Sequence, residues 1–270
     1  MNSRNFYSII LIVLLYTSCK NKTVKVYDSK TANEINVTVA QFQNIFNCFA
    51  MSNYVATKIG YYNKNCWITT NDSVGNTKTT KINFKKTGGC NLYDTTWTKG
   101  SYSVSYTKPY LSVDSSATIS FDNYTVSGNT YKGKLVYTKI AQNSSTKTFS
   151  INLNQLEVVY GGENYTLNGI LKIESSSGNN LITGNIDCVV NNQKFSLLIS
   201  EGIEISTDYD FVYSYYDYTN KFIAKKGKAK FIGSDGTEGI INYGDGQKDN
   251  VASYTSTNDL FRYIIELPEF

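Results

Sequence analysis

The stretch "YTLNGILKIESSSGNNLITGNIDCVV", residues 165–190, decides how the chain is read. Tyr165, Leu167, Leu171 and Ile173 occupy alternate positions, with Gly169 interrupting the series. Ile182, Ile186, Cys188 and Val190 do the same after the separator "SSSGNN". An apolar residue at every second position puts one face of an extended chain in a core and leaves the other in water. That is the signature of antiparallel strands, because parallel sheets are covered on both faces and read as continuous apolar runs.

The same period extends in both directions. Tyr102, Val104 and Tyr106 share one face, as do Ala117, Ile119 and Phe121, then Phe149, Ile151 and Leu153, then Phe195, Leu197 and Ile199. The separators "SGN", "GGEN", "NNQ" and "GSDG" are short hairpin chemistry. Aromatic residues make up 14% of the 270, 23 of them tyrosine, and only two prolines occur, a composition suited to pleated surfaces. The fold class expected is all-β: a large antiparallel meander of about 13–16 strands. A sheet that wide has to curl, split into a sandwich or form a half-barrel. One amphipathic helix is expected before it, over 38–58, "TVAQFQNIFNCFAMSNYVATK", with Phe42, Ile45, Phe46, Phe49, Ala56 and Ile59 as a stripe lying on the sheet's dry face. No composition shift divides residues 38–270, which read as a single domain.

Function classes are bounded by what the composition holds. The chain has no histidine, so no Ser-His-Asp or Cys-His arrangement exists and no imidazole binds metal or moves protons. No cofactor or metal is expected, and the protein reads as a non-enzyme. Arg4 and Arg262 are the only arginines behind the net charge of +4; without the bidentate guanidinium fork, nucleic acid is not an expected partner.

The N-terminus, "MNSRNFYSIILIVLLYTSCK", carries Arg4, then an apolar run from Ile9 to Leu15, too short to span a bilayer. It reads as a signal peptide over 1–18. The segment "LLYTSC" resembles a bacterial lipobox, with Cys19 as the residue that is lipidated and Tyr16 in place of the usual aliphatic residue. Residues 19–37 read as a tether. Lys20 and Lys22 stand where surface-exported lipoproteins of Bacteroidetes carry acidic residues, which implies an outer-membrane lipoprotein facing the periplasm. Beyond Cys19 the chain holds Cys48, Cys66, Cys90 and Cys188, which allow three pairings in an oxidising compartment. A 66–90 bridge would close the short loop around "TTKINFK", whereas Cys48 and Cys188 fall on apolar faces, to pair there or stay as buried thiols.

Two stretches invite a site. "YGDGQKDN", 243–250, offers Asp245 and Asp249, but a calcium loop needs six to eight oxygens, and Gly244 and Gly246 suit a hairpin turn. "DYDFVYSYYDY", 208–218, would align Tyr209, Phe211, Tyr213 and Tyr215 as an aromatic row, with Asp208, Asp210 and Tyr216 opposite, a platform on which sugar rings stack. Glu201 with Glu204, and Asp208 with Asp210, are spaced as glycosidase carboxylates could be, yet 22 acidic residues give such pairs by chance.

"INFKKTGGCNLYDTTWTKGSYSVSYT", "ATISFDNYTVSGNTYKGKLVYT" and "INYGDGQKDNVASYT" are similar to a pattern in uncharacterised secreted and lipid-anchored all-β proteins of Bacteroidetes. That family has a strand ending in Gly-Cys, a Phe-Asp-Asn-Tyr hairpin and a Tyr-Gly-Asp-Gly…Asp-Asn segment. The resemblance spans roughly residues 60–140 and 230–267. It implies a secreted all-β protein and supports Cys66–Cys90 as the bridge, but Lys248 stands where the family has a further cysteine. It implies no activity. The function expected is therefore a non-enzymatic, lipid-anchored cell-envelope protein with a structural or binding role. Its partners are the membrane, through the lipid, and an unknown protein, lipid or glycan. The alternatives are a carrier or chaperone for a lipid or other apolar ligand held in a hollow sheet, and a glycan-binding protein.

Overall fold

The computed structural model describes residues 29–57, 67–84, 90–93, 96–107, 109–110, 112–126, 128–176, 179–206, 223–246, 251–257 and 262–266. Helix α1 spans Ser29–Thr57. Fourteen strands follow: β1 Trp67–Val74, β2 Thr77–Phe84, β3 Cys90–Tyr93, β4 Thr96–Thr107, β5 Ser116–Val126, β6 Asn129–Gln142 and β7 Thr146–Tyr160. The remainder are β8 Glu163–Ser176, β9 Asn179–Val190, β10 Gln193–Ser206, β11 Ile223–Ile232, β12 Glu238–Asp245, β13 Val251–Ser256 and β14 Arg262–Glu266. All belong to one antiparallel sheet in sequence order, with β3 pairing beside β2 along the same edge of β4. β1 and β14 are its two edges, so the sheet does not close into a barrel.

The alternation read from residues 165–190 is the alternation of the walls. Tyr165, Leu167, Leu171, Ile173, Ile182, Ile186 and Cys188 are all buried, and Gly169 sits between them on the inner side of β8. The tight turns follow the sequence as well. Gly161–Gly162 and Asn191–Asn192 are both at positive φ, as two-residue hairpins of the right twist require.

Curling comes from irregularities that the alternation does not show. Register shifts interrupt neighbouring pairs at Lys99/Ser101, Phe121/Tyr124, Lys132/Leu135, Leu153/Leu156, Ile199/Ile203 and Lys226/Lys228. Each bulge bends its strand and increases local twist, and set side by side they crease the sheet across its width. Between β8 and β9 the register is unbroken, and glycine takes over the bend. Gly169 and Gly184 lie at φ +138° and +121°. A Cβ on Gly169 would sit 2.2 Å from the Asn185 carbonyl oxygen, and one on Gly184 only 2.1 Å from that of Ile170.

The helix differs from its expected bounds and setting. It begins at Ser29, so residues 29–37, read above as tether, are its first turns. It does not lie on the sheet with one face in water: every residue from Val37 to Phe46 is buried, about three turns all round. Partners come from every side. Phe49 packs on Tyr137 of β6 and Phe149 of β7, with centroids 5.1 and 5.2 Å away, and Phe42 packs on Tyr243 of β12 at 6.1 Å. The meander is curled around its own N-terminal helix. The polar start of the helix misleads because its polar groups are answered by the wall. The Ser234 amide and hydroxyl donate to the Glu34 carboxylate at 3.0 and 2.5 Å, and Asn36 bonds Tyr263. Buried polar groups with partners cost little, so burial does not require an apolar residue there.

Candidate ligand-binding cleft

Three elements converge where α1 approaches the sheet edge. Asn36, Val39 and Ala40 come from the helix, Tyr263, Ile264 and Ile265 from β14, and Tyr160 from the end of β7. They line a cleft of about 650 Å³, within the usual range for small-molecule sites. Helical spacing puts Asn36 and Ala40 one above the other, and the pleat of β14 sends Tyr263 and Ile265 to the inner side while Ile264 points outward, 68% exposed. The wall is pinned by a reciprocal contact. The Asn36 amide donates to the Tyr263 hydroxyl at 3.0 Å, and that hydroxyl also lies 3.2 Å from the Asn36 carbonyl oxygen as a donor.

Behind the cleft the helix is tied to β6. The Gln41 amide donates to Asn129 at 2.9 Å and accepts from the Tyr131 hydroxyl at 2.8 Å, all three side chains being buried. Cys48 and Cys188 are separate, buried, free thiols rather than a pair. Burial pushes the Cys48 thiol up to about 12 and raises Cys188 as well. Burial likewise raises the phenols of Tyr131, Tyr137 and Tyr243. Both thiols are therefore held protonated and shielded, the opposite of a reactive cysteine. Iodoacetamide at pH 8 is expected to leave Cys48 and Cys188 unmodified in the native protein and to modify both in urea, as read by peptide mass mapping; labelling of either one without denaturant would contradict the burial.

Tyr209, Phe211, Tyr213 and Tyr215, with Asp208, Asp210 and Tyr216, lie outside the described residues, as do Cys19 and Cys66. Cys90 opens β3. Of the 243–250 stretch, Tyr243 to Asp245 end β12 and the Gly246 amide extends its pairing with β11 by donating to the Lys225 carbonyl at 2.8 Å, while residues 247–250, Asp249 among them, lie outside the described residues. Among the described residues no group of three or more His, Cys, Asp or Glu side chains lies together. Glu204 pairs with Lys225 at 2.9 Å. The cleft residues carried no signal of their own. Asn36 and Tyr263 are 227 positions apart, and nothing local in the helix sequence points to the pairing. Compared with known proteins, the chain matches no family model, no curated protein and no solved structure.

Proposed function

We propose that the protein is a non-enzymatic, lipid-anchored component of the cell envelope with a binding role, held in the outer membrane and facing the periplasm. The observation that best supports binding over turnover is the lining of the cleft: among the described residues it consists of aliphatic and aromatic side chains with one amide, and holds no carboxylate, amine or thiol. The filled interior weighs against the hollow-sheet carrier, since α1 occupies the space that such a carrier would keep for cargo. The anchor rests on "LLYTSC" and the short apolar run before it, and on the resemblance to lipid-anchored all-β proteins of Bacteroidetes.

Cys19→Ser is the direct test of the anchor. The variant is expected in the soluble fraction of lysed cells while the parent sediments with membranes; a variant that still sediments would refute lipidation at Cys19. Protease added to intact cells is expected to leave the parent intact, and its digestion there would place it on the surface instead. In the same preparation, non-reducing peptide maps are expected to join Cys66 to Cys90, and free thiols at both would remove that bridge.

A further inference from the structure

We propose that β1, the open edge at the start of the sheet, pairs antiparallel with β1 of a second copy of this chain about a two-fold axis at Asn71, joining two sheets into one. The pairing depends on neither the cleft nor the anchor. Its first support is that this edge is undefended. Among the described residues β1 is paired on one side only, in unbroken register with β2 from Trp67/Phe84 to Val74/Thr77. An open row of N–H and C=O groups runs along its eight residues, and natural edges are blunted against such pairing by lysine, proline, a bulge or shortness. The strand "WITTNDSV" has none of these, and Asp72 is its only charge. The opposite edge, β14, is five residues long and carries Arg262 and Glu266 at its ends. Access is open as well. Every residue from Thr70 to Thr77 is exposed, on both faces of the β1–β2 hairpin, which leaves a second strand room to lie alongside.

The second support identifies the occupant: the sequence of β1 is complementary to itself. Ile68, Thr70, Asp72 and Val74 share the outer face, because Thr69 and Asn71 stand beside the buried Ile82 and Thr80 of β2 on the inner one. Ile68 and Val74 are exposed, at 37% and 73%, and lie three places either side of Asn71. A two-fold at Asn71 sets each residue against the one equally far beyond Asn71 in the second copy. Each Ile68 then covers a Val74, each Thr69 meets a Ser73, and each Thr70 hydroxyl can donate to an Asp72 carboxylate. Lys81, exposed and opposite Thr70 in the β1–β2 pair, stands two strands, about 10 Å, from that same aspartate and carries the opposite charge. Shifting the axis by one residue loses the match. An axis at Asp72 opposes two carboxylates, and an axis at Thr70 sets Asp72 against Ile68 and leaves Val74 beyond the end of the second strand.

So short an interface is weak in dilute solution, so the test traps it. Full-length Asn71→Cys, concentrated in mild detergent, is oxidised with copper–phenanthroline and mapped by mass spectrometry. Directly opposed residues have Cβ atoms about 5 Å apart, close enough for a disulfide between the two introduced thiols. Thiols introduced at Thr69 alone or Ser73 alone would lie about 14 Å from their counterparts. Asn71→Cys is therefore expected to give at least about fivefold more dimer than either single variant, and Thr69→Cys/Ser73→Cys together to crosslink as well. Sedimentation of variants at the exposed outer positions tests the register without thiols. Ile68→Lys/Val74→Lys sets lysine against lysine and should raise the dimer dissociation constant about thirtyfold. Ile68→Lys/Val74→Glu should return it to within about threefold of the parent, since the two positions are too far apart in one chain to pair. A parent that stays monomeric at every concentration would overturn the proposal. So would equal crosslinking from all three single variants, or a dimer indifferent to the charge swap, which would place the contact elsewhere. Oxidation of intact cells that joined Asn71→Cys to another protein, and not to its own copy, would give the edge a different occupant and overturn the two-fold. None of these readouts depends on where Cys19→Ser fractionates, so failure of the pairing and failure of the anchor are told apart.

Discussion

Gly184→Val is expected to yield no folded protein, and Gly184→Ala to be nearly as damaging. The added Cβ would lie 2.1 Å from the backbone oxygen of Ile170 and 3.0 Å from its carbon, with the backbone already at φ +121°. The obstacle is main chain in the paired strand, so no rotamer change relieves it. Separating β8 from β9 would break a ladder that runs in unbroken register from Thr166/Val189 to Ser176/Asn179. A clash of this kind combined with a left-handed strain belongs to the rare substitutions costing roughly 5 kcal/mol or more, the size of a whole domain's stability. Gly75→Ala is the matched control. It too has positive φ, at +56°, but nothing lies within 4 Å of its added Cβ. Its cost should be about 1 kcal/mol, the left-handed penalty alone. Urea unfolding of both proteins measures the contrast, and a Gly184→Ala protein with a midpoint near the parent's would show that the crease is not rigid.

Stability is expected to hold level from pH 6 to pH 9 and to collapse above it. No imidazole exists to titrate in the lower window. Above it, Cys48 ionises at about 9 in the unfolded chain and at about 12 in the folded one, because burial disfavours the thiolate. Tyr131, Tyr137 and Tyr243 are shifted in the same direction from 10 by the same cause. Each of these groups holds its proton longer when folded. The native state therefore binds more protons than the unfolded state once pH passes 9, and stability falls as pH rises through the folded values. Cys48 alone removes roughly 4 kcal/mol by pH 12, three units at 1.36 kcal/mol each. Urea midpoints against pH, with phenolate absorbance followed in parallel, measure this. Tyrosines that ionise at ordinary values with the fold intact would contradict the burial of the hydroxyls.

The strands were legible because their side chains answer to a local rule. Tyr102, Val104 and Tyr106, or Phe195, Leu197 and Ile199, face inward wherever the chain is extended, and neighbours in sequence are neighbours in the sheet. The helix was legible from Phe42 to Phe49, where its packing is apolar. Its first turns were not, because Glu34 is buried and Asn36 half-buried by virtue of Ser234 and Tyr263, partners about two hundred positions away. The curl was hidden for a related reason. A bulge such as Leu153/Leu156 leaves the alternation recognisable on either side while turning the strand between them. The cleft compounds both difficulties, joining a misread helix start to the last described strand and to one turn in the middle.

The enclosure of α1 also sets an order of events. The helix is the first described element to be synthesised, yet the groups that satisfy it arrive last: Asn36 waits 227 residues for Tyr263, and Glu34 waits 200 for Ser234. Until β12 to β14 exist, Phe42 and the amides beside it have walls on some sides only. Long-range pairing of this kind is slow, and the partly built form exposes both apolar surface and unpaired strand edge. A chain cut short of β14 is thus expected to be an aggregation-prone trough rather than a smaller version of the same protein.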